Sequence, residues 1–253
     1  MSNRRDYTSR YCLDTSKRVT FNHFILVISM LFFAERCRVV YVGRNAIMKG
    51  VKMRLFSGRK ELIQYARRTV LQKIESLEND MRRCISPDGP YQPAPFAALP
   101  YCFSVIDLLG AFVAGNAKPG RSAEQAREYM QRFMGYTEEQ ACLLQMVFRH
   151  KLVHLAEPRP IMENKSRRIS WQEWHNNRQK HLVIEPLKKK QKITVTSTLS
   201  IEYDHVFHVG IWNLVEDVRT SLEKPNGYFE SLERTSAIQD RFEQAVSQIH
   251  DYK

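Results

Sequence analysis

The stretch Leu143-Leu-Gln-Met-Val-Phe-Arg149-His150-Lys-Leu-Val-His154-Leu-Ala-Glu-Pro158 limits the fold more than any other part of the chain. On a helical wheel Ala141, Leu144, Phe148, Leu152 and Leu155 form one apolar stripe. Met146, Val147 and Val153 fall in a different sector, which also holds His150 and His154. A helix that is apolar nearly all round belongs at the centre of a bundle or faces a second surface. Pro158 ends it, because the residue before a proline is pushed out of the helical region. Arg149, His150 and His154 then lie towards a helix C-terminus, where the macrodipole favours positive charge. Burying such groups is costly unless they are paired or used, which makes them the first candidates for function.

The rest of the chain supplies partners for such a helix. From Lys60 to Cys84 the apolar residues Ile63, Ala66, Val70, Ile74, Leu77 and Met81 recur at helical spacing. Residues 86–100 hold prolines at 87, 90, 93, 95 and 100, which reads as irregular structure. A second helix is expected from about Leu99 to Ala114, apolar on most sides with Asp107 in its middle. A third runs from Ser122 to Met134 and stops at Gly135. Thr137-x-x-Gln140 is a capping box opening the helix that carries Arg149 and His154.

Beyond Pro160 the period shortens to two. Arg168–Trp174, Lys180–Leu187 and Lys192–Tyr203 read as strands, the first two joined through Asn176-Asn177. Asp204 then reads as the cap of a helix turning Phe207, Ile211, Leu214, Val218 and Leu222 inward. After Pro225-Asn226-Gly227 a last amphipathic helix runs to the end. The expected architecture is mainly α: a helical bundle over residues 53–225, with a small antiparallel β insert at about 165–203 before its closing helix, and a C-terminal helix over 226–253.

Residues 1–52 read as an extension. They hold ten Lys/Arg and three Asp/Glu, a balance of +7 out of the chain's net +12. The body is therefore only mildly basic, compatible with a polyanionic partner such as RNA without requiring one. The apolar run Phe24–Ala34 is too short to span a bilayer. Its length and positive flank fit the core of a signal peptide, but Glu35-Arg36-Cys37-Arg38 stands in place of a small-residue cleavage site. The other readings are a buried element, or a start truly at Met48 or Met53. Five cysteines with no C-x-x-C pair give neither a zinc ribbon nor a disulfide framework, and a reducing cytoplasm is the expected location. Cys84, Cys102 and Cys142, in apolar helical contexts, read as small core residues.

Arg149 and His154 are separated by four residues, with the polar His150 directly after the arginine. In an aliphatic helix late in a helical body, Phe148-Arg149-His150-Lys-Leu-Val-His154-Leu resembles the signature of the HEPN families, and Ser104-Val-Ile-Asp107-Leu-Leu resembles the apolar helix with one acidic residue common in their bundles. The motif of those families is Arg, then four to six residues, then His, and matches to it also occur at Arg18/His23 and Arg168/His175, so the helical setting carries the resemblance. It covers about residues 60–155. It implies a dimeric, metal-independent endoribonuclease of toxin or phage-defence type, with no cofactor and with an antitoxin or other protein as partner. His154 would move the 2′-hydroxyl proton, Arg149 would hold charge developing on phosphate, and His150 would be the polar neighbour. Five residues along a straight helix place Arg149 and His154 about 140° apart. A distorted helix end or a second subunit is needed to aim both at one phosphate.

Other readings stand beside this one. His150 and His154 at i, i+4 have metal-ligand spacing, with Glu157, Asp107 or Cys142 as a third ligand, but Lys151 occupies the place of the glutamate that zinc proteases use. Lys188-Lys189-Lys190-Gln191-Lys192 reads as a loop joining two strands. With Arg167, Arg168, Arg178 and Lys180, and with Trp171 and Trp174 nearby, it offers a phosphate-tracking face. Two tryptophans three apart cannot share a strand face, so one of them belongs to the core. His205 and His208 read as cap-region or solvent-facing histidines. The alternative function is a non-catalytic RNA- or protein-binding module that uses the basic β insert. No membrane partner is expected.

Overall fold

The computed structural model describes residues 55–84, 95–118, 120–149, 160–194 and 196–250. Residues 1–52 lie outside that range, as do His150 and His154.

The described chain is mainly helical with one small sheet. Helix α1, Arg59–Cys84, buries Leu62, Ala66, Val70, Ile74, Leu77 and Met81 on one face, the stripe its periodicity predicts with Leu62 in place of the half-buried Ile63. Helix α2 runs Pro95–Ala114 and buries Leu99, Phe103, Ile106, Leu109 and Phe112. It begins four residues earlier than its composition suggests and contains Pro100. Proline suits the first position of a helix, where its missing N–H would have no partner. The carbonyl of Pro100 accepts a hydrogen bond from the Ser104 hydroxyl at 2.8 Å.

Helix α3, Ser122–Tyr129, continues as a π-helical turn, Met130–Met134, and ends at Gly135 with φ +78°. Only glycine adopts that conformation without steric cost, which is why the sequence signal was clear. Helix α4, Glu138–Leu144, also continues as a π-helical turn, Gln145–Arg149. The strands are β1 Met162–Asn164, β2 Arg167–Trp174, β3 Ile184–Thr194 and β4 Ser200–Gly210. Helices α5 Ile211–Glu223, α6 Tyr228–Arg234 and α7 Ser236–His250 follow. The expected single last helix is thus two, parted at Thr235, which caps α6 in an extended conformation.

The strand order is β1-β2-β4-β3. Strands β1 and β2 pair antiparallel, as do β3 and β4, but β2 and β4 pair parallel, from Ile169 opposite His205 to Trp174 opposite Gly210. The sheet is therefore mixed, a correction to the antiparallel insert. Strands β2 and β3 do not pair through Asn176-Asn177, because β4 lies between them. The long alternating run Lys192–Tyr203 is not one strand. It spans the end of β3, a turn and the start of β4, joined by the pair Ile193 and Ile201. Asp204 caps no helix. Residues Ser200–Gly210 form the central strand, with Phe207 and Val209 buried on its core face, and α5 begins only at Ile211. The spacing of Phe207, Ile211 and Leu214 fits a helix as well as a strand running into one, so the pattern cannot locate the junction.

One core joins the helices to one face of the sheet. It includes Phe103, Tyr129, Phe133, Phe207, Tyr228, Phe229 and Phe242, with Trp171 packed against it. Among the described residues no helix is long and apolar enough to cross a membrane.

Candidate functional site

Helix α4, with the π turn after it, leads to Arg149, the first candidate. Its capping box forms as the sequence predicts: Thr137 Oγ1 accepts from the Gln140 N–H at 3.2 Å, and Gln140 Oε1 accepts from the Thr137 N–H at 2.9 Å. Ala141, Leu143, Leu144 and Val147 are buried. Cys142 is only half-buried, against Met146 Sδ at 3.7 Å, while Cys102 is the buried core cysteine expected. From Gln145 to Arg149 the helix widens to π geometry, so a straight wheel does not describe the turn leading into Arg149. The backbone of Arg149 is described; His150 and His154 lie outside the described residues, as does Glu157.

The second set lies on the sheet. Lys188, Lys189 and Lys190 are not a loop but part of β3, an edge strand. Pro186 pairs with His205 and Gln191 with Tyr203, so residues 187–190 stand opposite Asp204 alone. The lysines therefore form a wide bulge, and all three are exposed. On the other side of β4 the Arg168 N–H donates to Asp204 Oδ1 at 3.1 Å. The four sequence candidates Arg168, Lys188, Lys189 and Lys190 thus come to one level of the sheet, flanking Asp204 from both sides. Strand spacing puts the two flanks about 10 Å apart. The Arg168 guanidinium stands 3.3 Å from Glu163. Among the described residues no carboxylate stands in ion-pair contact with the three lysines. The Asp204 carboxyl lies below its ordinary value, held there chiefly by its hydrogen bond with His205, with Lys190 adding to the effect.

Four other basic groups of the insert are paired with carboxylates. Arg167 pairs with Glu139, Arg178 with Asp217 and Glu216, Lys180 with Glu185, and Lys192 with Glu202. The tryptophans are not stacking platforms at this level: Trp171 packs against the core, and Trp174 donates its indole N–H to His208 Nδ1 at 3.0 Å.

A third cluster has no counterpart among the sequence motifs. Asp217 of α5 accepts from the Tyr136 hydroxyl at 2.7 Å and from His181 Nε2 at 3.1 Å, and also pairs with Arg178. The Gly210 N–H donates to His181 Nδ1 at 3.0 Å. Burial alone would raise the Asp217 carboxyl, but the hydrogen bonds from His181, Tyr136 and Arg178 bring it below its ordinary value. Burial, then Asp217, pushes the Tyr136 hydroxyl well up. Both ring nitrogens of His181 are engaged, so it has no lone pair to offer a substrate. The cluster ties the insert to α5 and to Tyr136, which precedes the cap of α4. Its members are 36, 45 and 81 positions apart in the chain, with no spacing for a motif to reveal.

His205 and His208 are strand residues of β4, not cap residues, and His208 is buried. Among the described residues no group of three His, Cys, Asp or Glu side chains is placed to hold a metal ion.

No family model, curated protein or solved structure matches this chain. The reading below therefore rests on its own residues.

Proposed function

We propose that this chain is an RNA-binding protein whose contact surface is the lysine bulge of β3 together with Arg168. The observation behind this reading is the gathering of Arg168, Lys188, Lys189 and Lys190 at one level of the sheet. There the three lysines stand in no ion pair among the described residues, while Arg167, Arg178, Lys180 and Lys192 are paired with carboxylates. Phosphate neutralisation by such groups releases counterions and makes affinity fall with salt. Lysines and a bulge also keep an edge strand from pairing with another chain. Only the binding role predicts a salt slope, and that difference separates the two.

A second reading adds cleavage. The widening of α4 at Gln145–Arg149 favours it, because π turns recur at functional sites and change the direction in which the helix end points. On this reading the helices form a HEPN-like bundle that dimerises, with His154 as acid/base, Arg149 as phosphate stabiliser and His150 beside it. A cytoplasmic place, a toxin or phage-defence role and an antitoxin partner follow from the same resemblance.

One experiment addresses both. Labelled single-stranded RNA is titrated with the full chain in excess EDTA across a range of salt, alongside the Lys188→Gln/Lys189→Gln/Lys190→Gln and His154→Ala variants. Binding predicts that the triple variant lowers the slope of log K against log salt by about 0.7 for each phosphate that these lysines neutralise. An unchanged slope overturns the RNA surface. Cleavage by wild type and not by His154→Ala, leaving 2′,3′-cyclic phosphate ends, supports the nuclease. Binding without cleavage leaves the binding module alone.

A further inference from the structure

The turn between β2 and β3 is held in a costly conformation. Leu182 is buried at its centre with φ +61°, a left-handed backbone that a bulky residue rarely adopts. Such a conformation persists only where its surroundings over-determine it. Here the Leu182 N–H donates to the His208 carbonyl at 2.7 Å, the His208 N–H to the Val183 carbonyl at 2.9 Å, and Gln140 Nε2 to the Leu182 carbonyl at 3.1 Å.

Two buried histidines complete the attachment, in the same way. The indole N–H of Trp174 can only donate, so His208 Nδ1, which receives it, carries a lone pair. Its Nε2 then carries the proton and donates to Glu185 at 3.1 Å. At His181 the donor is the Gly210 amide, so Nδ1 again carries the lone pair and Nε2–H donates to Asp217. The His208 ring cannot take a second proton without turning its Nδ1–H against the Trp174 N–H. The side chains are 6% and 3% exposed, so no water stands ready to replace the lost acceptor.

We propose that His181 and His208 form a latch, released by acid at His208, that holds the Asn177–Glu185 turn against β4, α5 and the start of α4. The charged and titratable groups around it are accounted for. His208 faces Glu185 and Lys180; His181 faces Asp217 and Tyr136, with Arg178 and Glu216 behind Asp217 and the buried Cys102 thiol of α2 coupled to Asp217. At His208 burial and Lys180 oppose an imidazolium, whereas Glu185 favours it. At His208 burial prevails, and the ring sits below its ordinary value. The released state, with its ring in water, therefore binds the proton more readily. The docked state loses stability as pH falls through the ordinary histidine range towards the docked value.

The test is native-state hydrogen exchange on the full chain, following the amides of Leu182, His208 and Gly210 between about pH 7.5 and about pH 5. Protection factors, which remove the intrinsic pH dependence of exchange, are compared with those of Val70 and Ile74 in α1. The latch predicts that the turn amides lose about tenfold in protection per pH unit for each proton taken up, while the α1 amides hold. Asparagine keeps an acceptor near Nδ1 and does not titrate, so His181→Asn/His208→Asn loses that pH dependence. Undiminished turn protection at the acid end overturns the latch, as does a parallel loss in α1 or a double variant that opens like wild type. Should the double variant fail to fold, the ring nitrogen NMR shifts of wild type decide instead. Opening without protonation of the His208 ring overturns the latch, and opening in step with its protonation upholds it.

Discussion

At Gly110 two helix backbones come closer than any side chain permits. A Cβ built there would stand 2.6 Å from the carbonyl carbon and oxygen of Gln125 and 2.7 Å from the Ala126 nitrogen. These are backbone atoms of α3, which cannot swing aside. Gly110→Ala, favourable for helix propensity, is therefore expected to destabilise the protein by about 1–3 kcal/mol, seen as a lowered melting temperature. Nothing in the sequence marks this position, since a glycine inside an apolar helix has the same appearance whether it faces a neighbour or not. Gly135 was legible because the αL conformation it supplies is a property of the chain at that point. Tyr136, His181 and Asp217 were not, because what joins them is the fold.

Among the elements, helix boundaries set by local chemistry were legible and those set by neighbours were not. The Thr137/Gln140 box starts α4 where the sequence places it, through two hydrogen bonds within one turn. Thr137→Ala should cost about 0.5–2 kcal/mol, measurable by denaturant titration. Gln140→Ala should cost more than the loss of its cap bond alone, since its Nε2 also holds the Leu182 carbonyl. The boundary between β4 and α5 carried no such local mark. Phe207 and Val209 are apolar at period two, and Ile211 and Leu214 continue at a helical spacing. Only pairing with β2 on one side and β3 on the other keeps residues 204–210 extended. For the same reason the lysines of β3, which read as a turn, belong to a strand. Of the candidate site, the basic residues of the insert were legible as a group, but their meeting across Asp204 depends on a parallel pairing that alternation cannot encode.

Across the whole molecule, the first described helix is tied to the helix that follows the sheet. Arg219 of α5 donates from Nε to Glu78 Oε1 at 2.6 Å and from an Nη to Oε2 at 2.9 Å, a two-pronged pair bridging 141 positions. The Glu78 side chain is 14% exposed and that of Arg219 31%, so solvent screens the pair only in part. A double-mutant cycle with Glu78→Gln and Arg219→Gln should give a coupling of about 1 kcal/mol, at the upper end for pairs near a surface. Arg219→Lys should lose much of it, since an ammonium cannot match both oxygens.

The crossing order of the sheet has a consequence for how the protein is made. Ile169 on β2 pairs with His205 on β4, 36 residues later, and β1 is only three residues long. A ribosome adding about 5–20 residues per second leaves β2 with that short partner for a time on the order of seconds. Over that interval Ile169 and Trp171 have no Phe207 beside them, and the nascent chain presents an open apolar edge. A chaperone acting on this protein during synthesis would find its target there, in a segment that the finished fold turns inward.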